Sequence, residues 1–278
     1  MLGALLSFCL MAVGARELSG QIDTFQILFY RSAIGLIVIS FIIASTRNQK
    51  LFFSRRIRLH SVRNIFHFAG QYGWFVGISL LPLAEVFALE FTVPLWTALI
   101  ACIFLSEKLT VRKAISIILG ILGVIVIVQP SIEIVDYASL IVLGSAVCYA
   151  ISHVSTKSLS STDSPLTILF LMCLVQLPIS LSFSLLNWQN PEGIQWVWIT
   201  VIGITALSAH YCMAKAMQYA EVTAVVTMDF LRLPVIALIG VAFYSESLKI
   251  TLILGALCMF LGNLLNIHRD INKVAART

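Results

Sequence analysis

Long apolar stretches alternate with short polar gaps along the whole chain. Ten of them are evident, at roughly 1–16, 25–45, 62–81, 84–105, 112–129, 137–156, 165–187, 194–214, 222–244 and 249–268. The runs are continuous in their hydrophobicity rather than alternating residue by residue, which excludes a β-barrel. Each is close to the ~20 residues that a helix needs to cross a bilayer. A helix satisfies its own backbone polar groups in lipid, so the pattern predicts an all-α membrane protein of ten transmembrane helices. The gaps are too short to hold a separate soluble domain.

The polar punctuation occurs twice. The first half carries Ala84-Glu85-Val86, then Pro94, then Ser106-Glu107 followed by Ser116 and Gly123. The second half carries Ala220-Glu221-Val222, then Pro234, then Ser245-Glu246 followed by Gly255 and Gly262. From the Ser-Glu pair onward the copies keep an offset of 139 residues. The chain therefore divides into a first five-helix repeat over 1–130, a second over 137–268, and a tail over 269–278. An odd number of spans per copy places the copies in opposite orientations, an arrangement that many carriers use for alternating access.

Charge refines the topology. Charged residues make up 11% of the chain and apolar ones 59%, against about 25% charged in a soluble domain. Arg47, Lys50, Arg55, Arg56, Arg58, Lys108, Arg112, Lys113, Lys157, Arg269, Lys273 and Arg277 fall on one side of the predicted membrane. Glu17, Asp23, Glu85, Glu133, Asp136, Glu192 and Glu246 fall on the other, with only Arg16 and Lys249 as basic company. The positive-inside rule puts both termini in the cytoplasm, which fits a bacterial inner membrane. The net charge of +5 thus serves topology rather than nucleic-acid binding. Cys9, Cys102, Cys148, Cys173, Cys212 and Cys258 all sit within apolar runs with no ligand spacing, so neither a metal site nor a disulfide framework is expected. The first apolar run lacks the basic leader of a signal peptide and reads as a retained span.

An ionisable side chain at mid-bilayer costs about 2.5–3.5 kcal/mol on insertion scales, so each one is a candidate for function. Arg31 either snorkels to the outer interface or binds a carboxylate in a cavity. Arg63, His67, Gln71 and Trp74 share one helix face. Arg63 reads as an inner-end anchor, His67 and Gln71 as pathway lining, and Trp74 as a stacking platform or outer packing residue. Glu90 lies one turn before Pro94, whose missing N–H frees a carbonyl beside the carboxylate. It is either a proton or cation site or a structural acid paired with Arg31. Asp229 and Arg232 share a face just before Pro234, and either neutralise each other or form a protonation switch. Ser145, Tyr149 and His153 share another face. His210 aligns with Trp74 when the copies are registered on Ala-Glu-Val. Lys215 reads as a topology charge, and Glu107 and Glu246 as markers of the repeat. Gly120, Gly123, Gly255 and Gly262 allow close helix packing, on neighbouring helices or on a second subunit of a homodimer.

The duplicated pattern, with Phe29-Tyr30-Arg31, Leu81-Pro82-Leu83-Ala84-Glu85, Phe91-Thr92-Val93-Pro94-Leu95 and Leu105-Ser106-Glu107-Lys108-Leu109, resembles the drug/metabolite transporter superfamily. The likeness is to its bacterial EamA-type members, and Met228-Asp229-Phe230-Leu231-Arg232-Leu233-Pro234 and Tyr244-Ser245-Glu246 carry it in the second half. The resemblance implies two inverted five-helix repeats around a central cavity that moves a small organic metabolite. Arg31 and Arg63 look most like the branch containing S-adenosylmethionine uptake carriers. Phosphate-binding, zinc-protease and nucleophile-elbow motifs are absent, so the expectation is a secondary carrier without cofactor. An intramembrane enzyme and a membrane scaffold are the competing readings.

Overall fold

A computed structural model describes residues 1–104, 111–128, 137–229, 232–247 and 249–275. Ser106, Glu107, Lys108, Glu133, Asp136, Phe230, Leu231 and Arg277, among the residues singled out above, lie outside this described set. Among the described residues all regular structure is helical. The first half contributes α1 (Leu2–Leu18), α2 (Thr24–Ser45), α3 (Ile57–Leu80), α4 (Leu83–Glu90), α5 (Val93–Phe104) and α6 (Val111–Val128). The second contributes α7 (Tyr137–Leu159), α8 (Pro165–Ser184), α9 (Gln195–Tyr219), α10 (Val222–Met228), α11 (Arg232–Tyr244) and α12 (Ile250–Ala275). Among the described residues, five segments are long and apolar enough to cross a membrane by length and composition: Thr24–Ser45, Leu83–Phe104, Tyr137–Leu159, Pro165–Asn187 and Gln195–Tyr219.

Several boundaries move from their sequence-based positions. α3 begins at Ile57 rather than near 62, and α12 continues to Ala275 through positions assigned to the tail. The larger change is that the fourth apolar run is two half-helices, while in the ninth run α10 ends at Met228 and α11 is described from Arg232, with Phe230 and Leu231 outside the described residues. Pro94 is the second residue of α5, and Pro234 the third of α11. The first N–H groups of any helix lack an intrahelical partner, so proline is tolerated there at little cost. The joint before α5 is closed by Thr92, whose hydroxyl donates to Leu89 O at 3.0 Å and whose carbonyl accepts from Leu95 N at 2.9 Å.

The closest helix pairs join the two halves. α3 packs on α7, α1 on α9, α2 on α8 and α6 on α12. α3 and α7 run antiparallel: Gly77 faces Val142, Gly73 faces Ser145, and Arg63 reaches Thr156. A methyl group at Gly70 would already press on Tyr149 and on the Ser145 carbonyl, at 3.1 and 3.2 Å. Small residues at this spacing let two backbones approach, the main source of helix association in lipid. Gly123 and Gly255 do the same for α6 and α12, each backbone lying where the other's methyl would be. These two glycines serve packing within the chain.

Ser245 takes a left-handed backbone, φ 52°, at the end of α11, and Glu246 N donates back to Gly240 O at 3.1 Å. This closure ends the helix and returns the Glu246 carboxylate toward the protein. The Ser-Glu pair of the second repeat thereby acquires a structural role.

Candidate functional site

Two bundles of helices face each other, α3, α4 and α5 with α7, and α9, α10 and α11 with α1, and they meet where α4 packs on α11 and α5 on α10. Between them lies a cavity of about 20 Å³, counted as the space open to the centre of a water molecule. That is room for a water or two. Gln71, Trp74, Glu90, Tyr149 and His153 line it from the first bundle; Phe8, Met11, His210, Met213, Asp229 and Arg232 line it from the second.

Charge concentrates at the helix breaks. Glu90 closes α4, Asp229 follows α10, and Arg232 opens α11. Arg232 Nη2 lies 2.8 Å from Glu90 Oε1 and 2.6 Å from Asp229 Oδ2. Trp74 Nε1 donates to Glu90 Oε2 at 2.8 Å, so both Glu90 oxygens are engaged. The guanidinium also stands over the rings of Phe8 and Phe87, at 4.6 and 5.1 Å from their centres. Asp229 Oδ1 and Arg232 Nε are buried with no partner. A carboxylate oxygen left bare next to a cavity is an acceptor for a proton or a cationic group.

A second polar network lies behind Gln71. Arg31, 3% exposed, donates from Nη1 to Gln71 Oε1 at 2.9 Å and to Gln176 Oε1 at 3.2 Å. Gln176 Nε2 donates to Asn64 O at 3.2 Å and meets His67 Nδ1 at 2.9 Å. The His67 ring stands edge-on to His210, centroids 4.6 Å apart. Arg63, also 3% exposed, donates to Thr156 Oγ1 at 3.1 Å and to Asn64 Oδ1 at 2.7 Å.

The bundles are also tied at both ends of the cavity. At the end formed by the C-termini of α1 and α3, Arg16 Nη2 donates to Glu246 Oε1 at 2.7 Å and to Leu81 O at 2.8 Å. Leu83 N, the first amide of α4, donates to Glu246 Oε1 and Oε2 at 2.9 Å each. Glu246 thus caps a helix of the other half, where a carboxylate is favoured by the helix dipole. At the opposite end, Lys157 Nζ donates to Met217 O and Ala220 O at 2.7 Å each.

Of the residues singled out from sequence, Gln71, Trp74, Glu90, Tyr149, His153, His210, Asp229 and Arg232 converge on the cavity. His67 and Arg31 stand behind it. Of the alternatives left open, Glu90 pairs with Arg232 and not with Arg31. Arg31 and Arg63, each 3% exposed, and Trp74, 1% exposed, are all buried within the protein. Pro94 and Pro234 mark the helix breaks without lining the cavity. Sequence reasoning missed Gln176, the one amide within α8, although the rule that flagged Gln71 applies to it equally. It also missed Phe8, Met11 and Met213, whose apolar side chains carry no signal in an apolar helix.

Comparison with known proteins agrees with this architecture. The EamA-like transporter family matches residues 1–129 and again 136–267. The chain is 23% identical to an S-adenosylmethionine uptake transporter of Rickettsia felis, over 84% of this chain and 79% of that one. It is 21% identical to the one from Rickettsia prowazekii, over 95% and 90%. A riboflavin transporter of Vibrio cholerae is 32% identical over 61% of this chain and 63% of its own. A solved crystal structure of a protein shares the fold, with a TM-score of 0.74 at 16% identity, covering 98% of this chain and 96% of that one. The chain is a multi-pass membrane protein and belongs to the EamA-like transporter family.

Proposed function

We propose that this chain is a secondary carrier that moves a small organic metabolite across the bacterial inner membrane by alternating access, with both termini in the cytoplasm. The observation that carries the reading is the cavity itself. It is lined from both bundles, bridged at its centre by Arg232 and Glu90, and flanked at both ends by contacts between the bundles. A small, charged cavity between two packed bodies is what a carrier that alternates its access requires. Opening the Arg16–Glu246 end exposes it to one side, and opening the Lys157 end exposes it to the other.

The underlying plan is ten spans in two inverted five-helix repeats. The helix pairings support it: exchanging the halves turns α3–α7 into α9–α1 and maps α2–α8 and α6–α12 onto themselves. Glu90 and Asp229 are separated by the same 139 residues as the two Ser-Glu pairs. Each moving bundle then mixes helices of both repeats, so the repeats interlock rather than rock as whole units.

The relatives' names point to S-adenosylmethionine and riboflavin as solutes to try, and amino acids share the charged groups of the first. Purified protein in liposomes preloaded with each unlabelled solute is offered a trace of the labelled one. Counterflow above that of protein-free liposomes is expected for at least one solute, and it should fall at least tenfold in Asp229→Asn. A folded protein that exchanges none of a broad metabolite panel would sink the reading.

A further inference from the structure

The network behind Gln71 has a one-sided chemistry. Arg31 gives one nitrogen to two side-chain oxygens, and Gln176, whose oxygen is thereby used, gives its amide hydrogens to Asn64 O and His67 Nδ1. His67, accepting at Nδ1, carries its ring proton at Nε2 when neutral. The buried atoms left over are Arg31 Nε, Arg31 Nη2 and His67 Nε2. All three are donors. No acid compensates them: among the described residues, neither Arg31 nor Arg63 has a carboxylate within 4.0 Å. A desolvated guanidinium with no counter-ion costs several kcal/mol, so a conformation that buries one invites an anion.

We infer that Arg31, with Gln71 and Gln176 holding its guanidinium in place, forms a subsite for a compact anion beside the central cavity, of the chemistry of a carboxylate. Gln71 separates the two: it lines the cavity on one side and accepts from Arg31 on the other. The unpartnered Nε and Nη2 of Arg31 form a fork whose parallel N–H groups match the two oxygens of a carboxylate. The same cavity also carries the bare Asp229 Oδ1. A solute with a carboxylate at one end and a cationic group at the other fits this polarity. A free inorganic anion would satisfy the same donors. The inference rests on the carrier reading only for the source of the anion, since the subsite itself is measurable at equilibrium.

The test is thermal unfolding of the full chain in nanodiscs, with sodium acetate, sodium chloride or neutral acetamide as probes. Ionic strength is held constant with a bulky sulfonate buffer. Acetate should raise the midpoint by ~2–4 °C near saturation, and acetamide should leave it unchanged. Arg31→Gln should abolish the acetate response. Gln71→Glu offers the guanidinium an internal carboxylate, so it should also abolish the response, and it keeps the test decisive if Arg31→Gln fails to fold. Acetate acting without chloride assigns the subsite to a solute carboxylate; chloride acting equally assigns it to a free anion. A wild-type response to acetate in Gln71→Glu or in folded Arg31→Gln, or acetamide matching acetate, overturns the inference. Acetate binding through Arg31 without counterflow of any solute would leave the subsite standing and sink the carrier reading alone.

Discussion

Glu90 and Asp229, 139 positions apart in the chain, grip a single guanidinium, with Arg232 Nη2 2.8 Å from the first and 2.6 Å from the second. The two acids are not equivalent. Glu90 has both oxygens occupied, by Arg232 and by the Trp74 indole, whereas Asp229 keeps one oxygen without a partner. Two ionised acids around one cation leave an excess negative charge in a buried space. The group able to relieve it, by taking a proton or a cationic solute, is Asp229.

Asp229→Asn should therefore change the fold little and transport greatly. The midpoint of thermal unfolding should stay within about 1 kcal/mol of wild type, because the amide oxygen still accepts from Arg232. Initial counterflow rates should drop at least tenfold. Glu90→Ala, by contrast, strips the Trp74 N–H and half of the Arg232 pairing, and should cost about 3–5 kcal/mol. A wild-type rate in Asp229→Asn would exclude that carboxylate from the transport cycle.

Removing the cation is expected to be worse than removing either acid's charge. Arg232→Met leaves two buried carboxylates facing each other without a cation, with a cost of about 3–5 kcal/mol. Adding Glu90→Gln and Asp229→Asn to Arg232→Met should restore at least half of the loss, because the triple variant buries no charge at this site. Additive losses across the three changes would show that the groups act independently.

The two end ties make opposite predictions for access. A cysteine placed at Met213 in a background lacking the six native thiols reports on the cavity through an impermeant thiol reagent. Glu246→Gln should raise its labelling rate at least threefold from the outer face, and Lys157→Met from the cytoplasmic face. The same variants reversing their sides would disprove the proposed orientation.

The α3–α7 seam should resist enlargement. In Gly73→Ala the new methyl would overlap the Ser145 hydroxyl, with the Ile141 side chain 3.1 Å away. Overpacking of this kind costs about 1–3 kcal/mol. Ser145→Ala in the same chain should recover part of it, as read by the thermal midpoint of the double variant against each single one.

Much of this site was legible in the sequence because lipid removes alternatives. A polar residue in an apolar helix has to face protein, and helical spacing then says which others share its face. Gln71 with Trp74, and Tyr149 with His153, were found that way, and all four reach the cavity. The rule fixes a face without naming the helix opposite, so the partner considered for Glu90 as a structural acid was the wrong arginine. Depth alone suggested Arg31; the break after Glu90 and the interlocking of the two bundles bring it to Arg232 instead. The end ties were illegible for another reason. Lys157 binds the carbonyls of Met217 and Ala220, and Arg16 adds the Leu81 carbonyl to its pair with Glu246; every residue possesses a carbonyl, so nothing in those partners' identity announces the contact.

The pairing of α1 with α9 bears on how the protein is made. Gln195, where α9 starts, follows Leu2 by 193 residues. At ~5–20 residues per second, a ribosome reaches it some ~10–40 s after the first helix has been completed. During that interval α1 must rest in lipid or against an insertion factor with Arg16 near its end and its principal neighbour not yet translated. Correct assembly is thus decided late, by whether the earliest segment is still waiting in the right place when its distant mate arrives.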